Sequence, residues 1–393
     1  MNDLEFYIYQ AYNDFHILDD TRNNQDYRNW KKQMINSDRL VTNFCEMVRI
    51  DSPSGEEDDM AMYLENKLIA LGFQTVRDSY GNLIANNGAG NDPILLSAHM
   101  DTVEPGRGIN PTIDEDRIIS DGSTILGGDC KAGIAAILEG IESVKEDAEK
   151  IRPIEVAFTK EEEIGLVGAR NLDFSLITSK LAIVFDGEGP VNRITSSSPT
   201  YIGFSIQITG KSAHAGVEPE KGISAIKIAA DLIAKLPQGR IDDNTTANIG
   251  TIEGGSGRNT VPETASIIGE FRSTNLENLD SIRMQIDSAI TEVGKVYPNA
   301  TLQHHLHTEF ETYTLTDDDP ATLLAKKKMK NIGLTPVMKP SGGGTDGNVF
   351  RLNNISSVVV GMADNGMHTV RESVNIPDLV DAAHFCESII RVG

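Results

Sequence analysis

In Ile94-Leu95-Leu96-Ser97-Ala98-His99-Met100-Asp101, His99 and Asp101 stand with one residue between them where a short buried strand would finish. The carboxyl ends of strands in an open α/β sheet are where ligand sites form. About thirty residues on, Gly127-Gly128-Asp129 leads through Lys131-Ala132-Gly133 into an apolar pattern of helical spacing. Imidazole nitrogen and carboxylate oxygen both suit zinc, so these residues have the chemistry of a metal site. The alternative is a His near a strand end and an Asp that caps the next helix. Two more apolar runs end in the same way. Phe158 is followed by Thr159-Lys160-Glu161-Glu162-Glu163, and Phe185 by Asp186-Gly187-Glu188. A glutamate trio is ordinarily a solvated helix start favoured by the helix dipole. Three strand ends that all finish in ligand-type residues point instead to one shared site.

The elements that must position these side chains follow from periodicity. Ser37 is expected to cap a helix carrying Leu40, Val41, Phe44 and Val48, and Asp51-Ser52-Pro53-Ser54-Gly55 breaks it. A second helix spans about 56–71, stopped by Gly72. Strands follow near 74–76, 83–85 and 94–98, then a helix after Gly133 through Ile141, then strands at 154–158 and 181–185. This alternation predicts an α/β fold, a mostly parallel sheet with helices on both faces. Between Ser198 and Thr308 the order becomes β-α-β-β-α-β, the split βαβ arrangement of a ferredoxin-like domain inserted into the larger one. The α/β pattern then resumes, with helices at about 320–332 and 376–390 and a strand at 356–360. The expected division is 1–36, an aromatic-rich extension of undecided structure; 37–197 and 309–393, the two parts of the main domain; and 198–308, the insertion.

Composition narrows the function. A formal charge of −23 over 393 residues argues against nucleic-acid binding, which needs clustered Lys and Arg. Three widely spaced cysteines suggest no disulfide framework. The opening MNDLEFYIYQ lacks a basic segment before an apolar core, and no run approaches a membrane span, so a cytoplasmic protein is expected.

The stretches SAHMDTV, LGGDCKAG, FTKEEEIGLVGAR, FDGEG, SAHAG and GMHTVRESV occur in that order. Together they resemble the di-zinc exopeptidase and amide-hydrolase family, which includes peptidase T, aminoacylase, acetylornithine deacetylase and succinyl-diaminopimelate desuccinylase. The similarity runs from residue 38 onward and is greatest to the peptidase T branch of tripeptide aminopeptidases. It implies a zinc-exopeptidase-like fold with an inserted lid and dimerisation domain, and a site for two divalent ions, zinc first, with cobalt or manganese as alternatives. Asp129 would bridge both ions, with His99 and Asp186 completing one and Glu163 and His368 the other. Glu162 would be the general base, the Ile164-Gly165 that follows setting the register of the trio. Asp101 is placed to accept the second imidazole N–H of His99. His214 would donate to the oxyanion from the partner subunit of a homodimer. Asn259 and Arg272 would hold the substrate's carbonyl and carboxylate, and the loop of Gly343 and Gly344 would line its pocket.

Other features carry less. The loop 342–347 lacks the Gly-Lys-Ser/Thr of a phosphate loop. His304, His305 and His307 are expected on an exposed strand, Asp317–Asp319 at a helix start, Lys326–Lys328 on a solvated helix face, and Cys130 as a packing residue. The expected activity is hydrolysis of the N-terminal amide of short peptides. An N-acyl-amino-acid deacylase or carboxypeptidase on the same scaffold, or a non-catalytic binding relative, are the competing readings.

Overall fold

The computed structural model describes residues 35–88, 90–147 and 150–392. The expectation for the N-terminal extension lies outside them, apart from Ile35, which is buried in the main core, and Asn36. The chain forms two compact units: one takes the chain to Thr195 with Leu315–Lys339 and from Thr345 onward, the other Ser196–Thr314 with Pro340–Gly344. The insertion thus runs past 308, because its last long strand continues to Phe310, and it takes back the short segment 340–344.

The first unit begins with α1 (Ser37–Val48) and α2 (Asp58–Ala70), then β1 (Gln74–Arg77), β2 (Leu83–Asn86) and β3 (Ile94–His99). A hairpin, β4 (Thr112–Asp114) and β5 (Arg117–Ile119), precedes α3 (Gly128–Glu146), β6 (Ile154–Thr159), β7 (Leu181–Gly187) and β8 (Arg193–Ser198). The second unit runs β9 (Thr200–Thr209), β10 (Ala213–His214), α4 (Ala225–Ile233), β11 (Gly239–Asp242), β12 (Thr245–Gly254) and β13 (Thr260–Val261). It continues with β14 (Thr264–Ser273), α5 (Leu276–Val296), β15 (Thr301–Phe310) and β16 (Tyr313–Thr314). The chain returns through α6 (Pro320–Asn331), β17 (Val337–Pro340), α7 (Asp346–Leu352), β18 (Ser356–Gly361), β19 (Asp364–Asn365), β20 (Ser373–Asn375) and α8 (Ile376–Ile390).

In the first unit the strand order is β1-β2-β6-β3-β7-β18-β8. The central four, β6-β3-β7-β18, are parallel, and β2 and β8 flank them antiparallel. Parallel strands covered on both faces read as continuous apolar runs, and all six residues of β3 and of β6 are buried. Leu96, Ile183 and Val358 face the cluster that includes α1, α3 and α8, while Leu95, Val184 and Val359 face the opposite one with Phe350. A small sheet, β19-β20-β5-β4, has strands too short to show in the hydropathy pattern. The α1 cap is Asn36 and not Ser37: its side chain accepts from the Arg39 N–H, and Glu139 holds its own N–H. The α3 segment opens irregularly, Asp129 (φ −82°, ψ 104°) and Cys130 (φ −114°, ψ 22°) lying outside helical angles.

The second unit is an antiparallel sheet, β11-β12-β14-β9-β15, with β11 an edge strand the pattern did not announce. Ile202, Phe204, Ile206 and Ile208 alternate along β9 into a core with Ile228 and Leu232 of α4 and Ile282 and Ile286 of α5. On β15, His305 and His307 are exposed and their rings stack at 5.8 Å, while His304 meets Asp287 at 2.9 Å. Asp319 caps α6. Of the three lysines expected on its solvated face, only Lys327 is fully exposed; Lys328 is half-buried and donates to the Ser388 carbonyl. Among the described residues no helix is long and apolar enough to cross a membrane.

Candidate metal centre

The carboxyl ends of β3, β6 and β7 are neighbours, which puts His99, the trio after Thr159 and Asp186 at one edge of the sheet. The Asp129 carboxylate reaches this edge from the start of α3. Its Oδ1 is 3.0 Å from His99 Nε2, and its Oδ2 is 3.1 Å from His368 Nε2. Asp186 Oδ1 lies 3.5 Å from the same His99 nitrogen, and Glu163 Oε2 lies 3.0 Å from that of His368. Two donor groups result, each with its ligand atoms within 4.8 Å of one another: His99, Asp129, Cys130 and Asp186, and Asp129, Glu163 and His368. They share Asp129. Cys130, buried beside them, donates its thiol to the Phe185 carbonyl at 2.6 Å.

The electrostatics suit cations. Burial lowers the His99 imidazole, but Cys130 and the carboxylates of Asp101, Asp129 and Asp186 outweigh it and hold it well above its usual range. Asp129 and Glu163 around His368 raise it to about 10. Burial, with the charges of nearby carboxylates, pushes Asp186 and Glu163 up, although His99 and His368 pull the other way. Burial and the Asp186 charge push Glu162 well above the carboxylate range. Protons thus gather where positive charge is wanted. Glu163 Oε1 and Asp186 Oδ2 are buried without a hydrogen-bond partner. Carboxylate and imidazole donors around a shared Asp129, with unpartnered oxygens on Glu163 and Asp186, fit divalent ions.

Asp101 meets the second imidazole nitrogen of His99 through two acceptors. His99 Nδ1 is 3.0 Å from the Asp101 backbone carbonyl and 3.4 Å from its carboxylate. A carbonyl only accepts, so Nδ1 carries a proton; Nε2 donates to the Asp129 carboxylate, and loss of that second proton would free its lone pair for an ion. The Asp101 carboxylate also accepts from the backbone N–H groups of Glu162 (2.9 Å) and Glu163 (3.2 Å) and from the Ser54 hydroxyl (2.6 Å). Ser54 stands in the stretch that sequence treats only as a helix break. Given no role of their own in the sequence reading are Glu372 and Asp364, buried behind Asp129, and Asp346, buried at the start of α7 against Thr159.

The second unit gathers the remaining candidates in two places. His214 pairs with Thr260 across β10 and β13, and the Asn259 carbonyl accepts from Ala215 N–H at 3.0 Å; both His214 and Asn259 are exposed. Gly216 N–H donates to His214 Nδ1, which leaves Nε2 to carry the proton of the neutral ring. Elsewhere, Arg272 donates to Glu270 (3.0 Å) and to the Gly342 carbonyl (3.2 Å) and lies 4.3 Å over the Tyr201 ring. Ser198 holds the Gly343 carbonyl, and a Cβ at Gly344 would fall 2.4 Å from the Phe310 ring.

A mostly parallel α/β sheet with this donor set at its strand ends, interrupted by an α+β insertion, is the zinc-exopeptidase fold. Residues 197–298 match the family model of a peptidase dimerisation domain, and residues 82–214 that of peptidase family M28. The chain is 38% identical to the aminopeptidase PepT of Bacillus cereus, over 91% of this chain and 98% of that one, with a TM-score of 0.79. It is 32% identical to a tripeptidase of Staphylococcus aureus, with the same coverage and a TM-score of 0.83. It is also 37% identical to the Bacillus subtilis protein YqjE over 91% of this chain and 99% of that one. The chain belongs to the peptidase T-like metallopeptidases of the M20 family.

Proposed function

We propose that this protein is a two-metal aminopeptidase that releases the N-terminal residue of short peptides, tripeptides above all. The observation that carries the reading is the pair of donor groups sharing Asp129, with the buried Glu162 beside them. The names of the two solved relatives, an aminopeptidase and a tripeptidase, support the substrate class.

His99 and Asp186 would hold one divalent ion, Glu163 and His368 the other, with Asp129 between them. When bound, such a pair lowers the pKa of an intervening water to about 7 and polarises the scissile carbonyl. Glu162 takes the proton of that water and passes it to the leaving amine. Asp101 fixes the turn that carries Glu162 and Glu163 by accepting both backbone N–H groups. His214 donates its Nε2–H to the developing oxyanion, supplied by the second copy of a homodimer built on the 197–298 domain. Arg272, braced by Glu270 and Gly342, offers a guanidinium to the substrate's C-terminal carboxylate. Asn259 and the Gly343–Gly344 loop are the other candidates for holding substrate.

A panel of tripeptides and N-acyl amino acids, with metal content measured on the same samples, tests this. Tripeptides should lose their N-terminal residue, chelation should abolish turnover, and zinc, cobalt or manganese should restore it. Faster cleavage of N-acyl amino acids than of any tripeptide would make the protein a deacylase.

A further inference from the structure

Glu372 has no part in the reading above, yet it sits directly behind the shared carboxylate. Strands β19 and β20 pair Asp364 with Val374 and Asn365 with Ser373, closing a hairpin whose loop carries both His368 and Glu372. Glu372 N–H donates to the Thr369 carbonyl at 3.0 Å, and the residue is 1% exposed. Its carboxylate accepts the backbone N–H groups of Leu126 (2.6 Å), Gly127 (2.8 Å) and Asp129 (3.1 Å). Several N–H groups of one turn converging on an anion make a nest, and here the anion is a side chain from 243 residues away. The hairpin closes on the turn from a second side. A Cβ built at Gly128 would lie 2.4 Å from Asp364 Oδ1 and 2.8 Å from Val374 Cγ2. Lys131, at the far end of the same turn, is anchored through Nζ to the Ile50 carbonyl at 2.9 Å.

The two donor groups depend on this arrangement unequally. His99 and Asp186 stand on β3 and β7, paired strands at the centre of the sheet. His368 stands on the hairpin loop, with a left-handed φ of 62° and about half its side chain exposed. What sets the distance between Asp129 and His368 is the hairpin, and Glu372 is the hairpin's direct bond to the Asp129 backbone. Building on the two-ion reading, we infer that Glu372 is a positioning residue that registers Asp129 with His368, so that the Asp129–Glu163–His368 ion depends on it more than the His99–Asp129–Asp186 ion.

The test is calorimetric titration of metal-free protein with Co²⁺ alone. Wild type should take up two ions. Glu372→Gln keeps the shape but replaces one accepting oxygen with an amide that meets N–H donors. It should bind the first ion within about threefold of wild type and the second at least about 10-fold more weakly, as for loss of groups that orient ligands. Tripeptide turnover should fall with occupancy of the second ion and recover in excess Co²⁺. Glu372→Asp, which keeps the charge but draws it back by one methylene, should lie between, and it carries the comparison if Glu372→Gln does not fold. Unchanged binding of both ions, or equal weakening of both alongside a lower Tm of the metal-free protein, would overturn the inference while leaving the two-ion reading intact. A wild type that takes up no ions would overturn both.

Discussion

The candidate residues of the two units live in opposite surroundings. In the first unit His99, Asp101, Asp129, Glu162 and Asp186 are buried, and each is held by backbone or by another member of the set; Glu163 is half-buried and His368 alone of this group is exposed. In the second, His214 and Asn259 are exposed and Arg272 is half-buried among its own neighbours. Buried charge is costly unless it is paired, so the first group declares a need that a cation would meet. Exposed polar groups declare nothing: water satisfies them, and they act only when substrate or a partner copy displaces that water. On the proposed reading the hydrolytic chemistry belongs to the first unit, and substrate recognition to the second.

That contrast can be broken most sharply at the glutamate trio. Glu162→Gln should cut tripeptide turnover by about 10²–10⁴ with metal content unchanged, whereas Glu163→Gln should lose metal. Metal analysis beside kinetics decides it: loss of metal from the first and not the second would shift the register by one residue. Next in size, His214→Ala should reduce kcat by about 10²–10³, as for removal of an oxyanion donor, without changing metal content. Mixed with Glu162→Gln and allowed to exchange subunits, it should regain part of the activity; full activity in a strictly monomeric wild type would rule out supply of His214 by the partner subunit. The smallest effect is expected at Arg272. Arg272→Ala should raise KM about 10-fold for a free-acid tripeptide and leave the C-terminal amide nearly unchanged, in line with loss of a charge-assisted hydrogen bond. Equal effects on acid and amide would mean that Arg272 serves only to hold Glu270 and Gly342.

Much of the first unit could be read from sequence because its signals are local. Apolar runs that end in His, Asp or Glu mark buried strands and their carboxyl ends together, so the gathering of His99, Glu163 and Asp186 follows from neighbouring strands. The helix Leu276–Val296 is legible for the same reason: Leu279, Ile282, Ile286, Ala289 and Val293 recur at helical spacing and are buried. What stayed hidden has no local signal. Glu372 bonds to backbone N–H groups, which every residue possesses, so no residue type near 126 announces it. Asp364 looks like any loop acid until the fold buries it beside Gly128. The return of 340–344 to the second unit depends on Ser198 and Arg272 bonding to carbonyls of that loop. Asn36 outranks Ser37 as a cap because Glu139, a hundred positions away, fixes its N–H. Long-range backbone bonding is the common thread in these misses.

The shared Asp129 also imposes an order in time. Its contact with His99 spans 30 residues of chain, while its contact with His368 spans 239. The longer loop costs more entropy to close, and pairings of high sequence separation form slowly. A chain folding from its N-terminus can therefore join the first pair of donors while most of its length is still unstructured. The second pair must wait for the final hairpin, so the hydrolytic site comes into being only as folding ends.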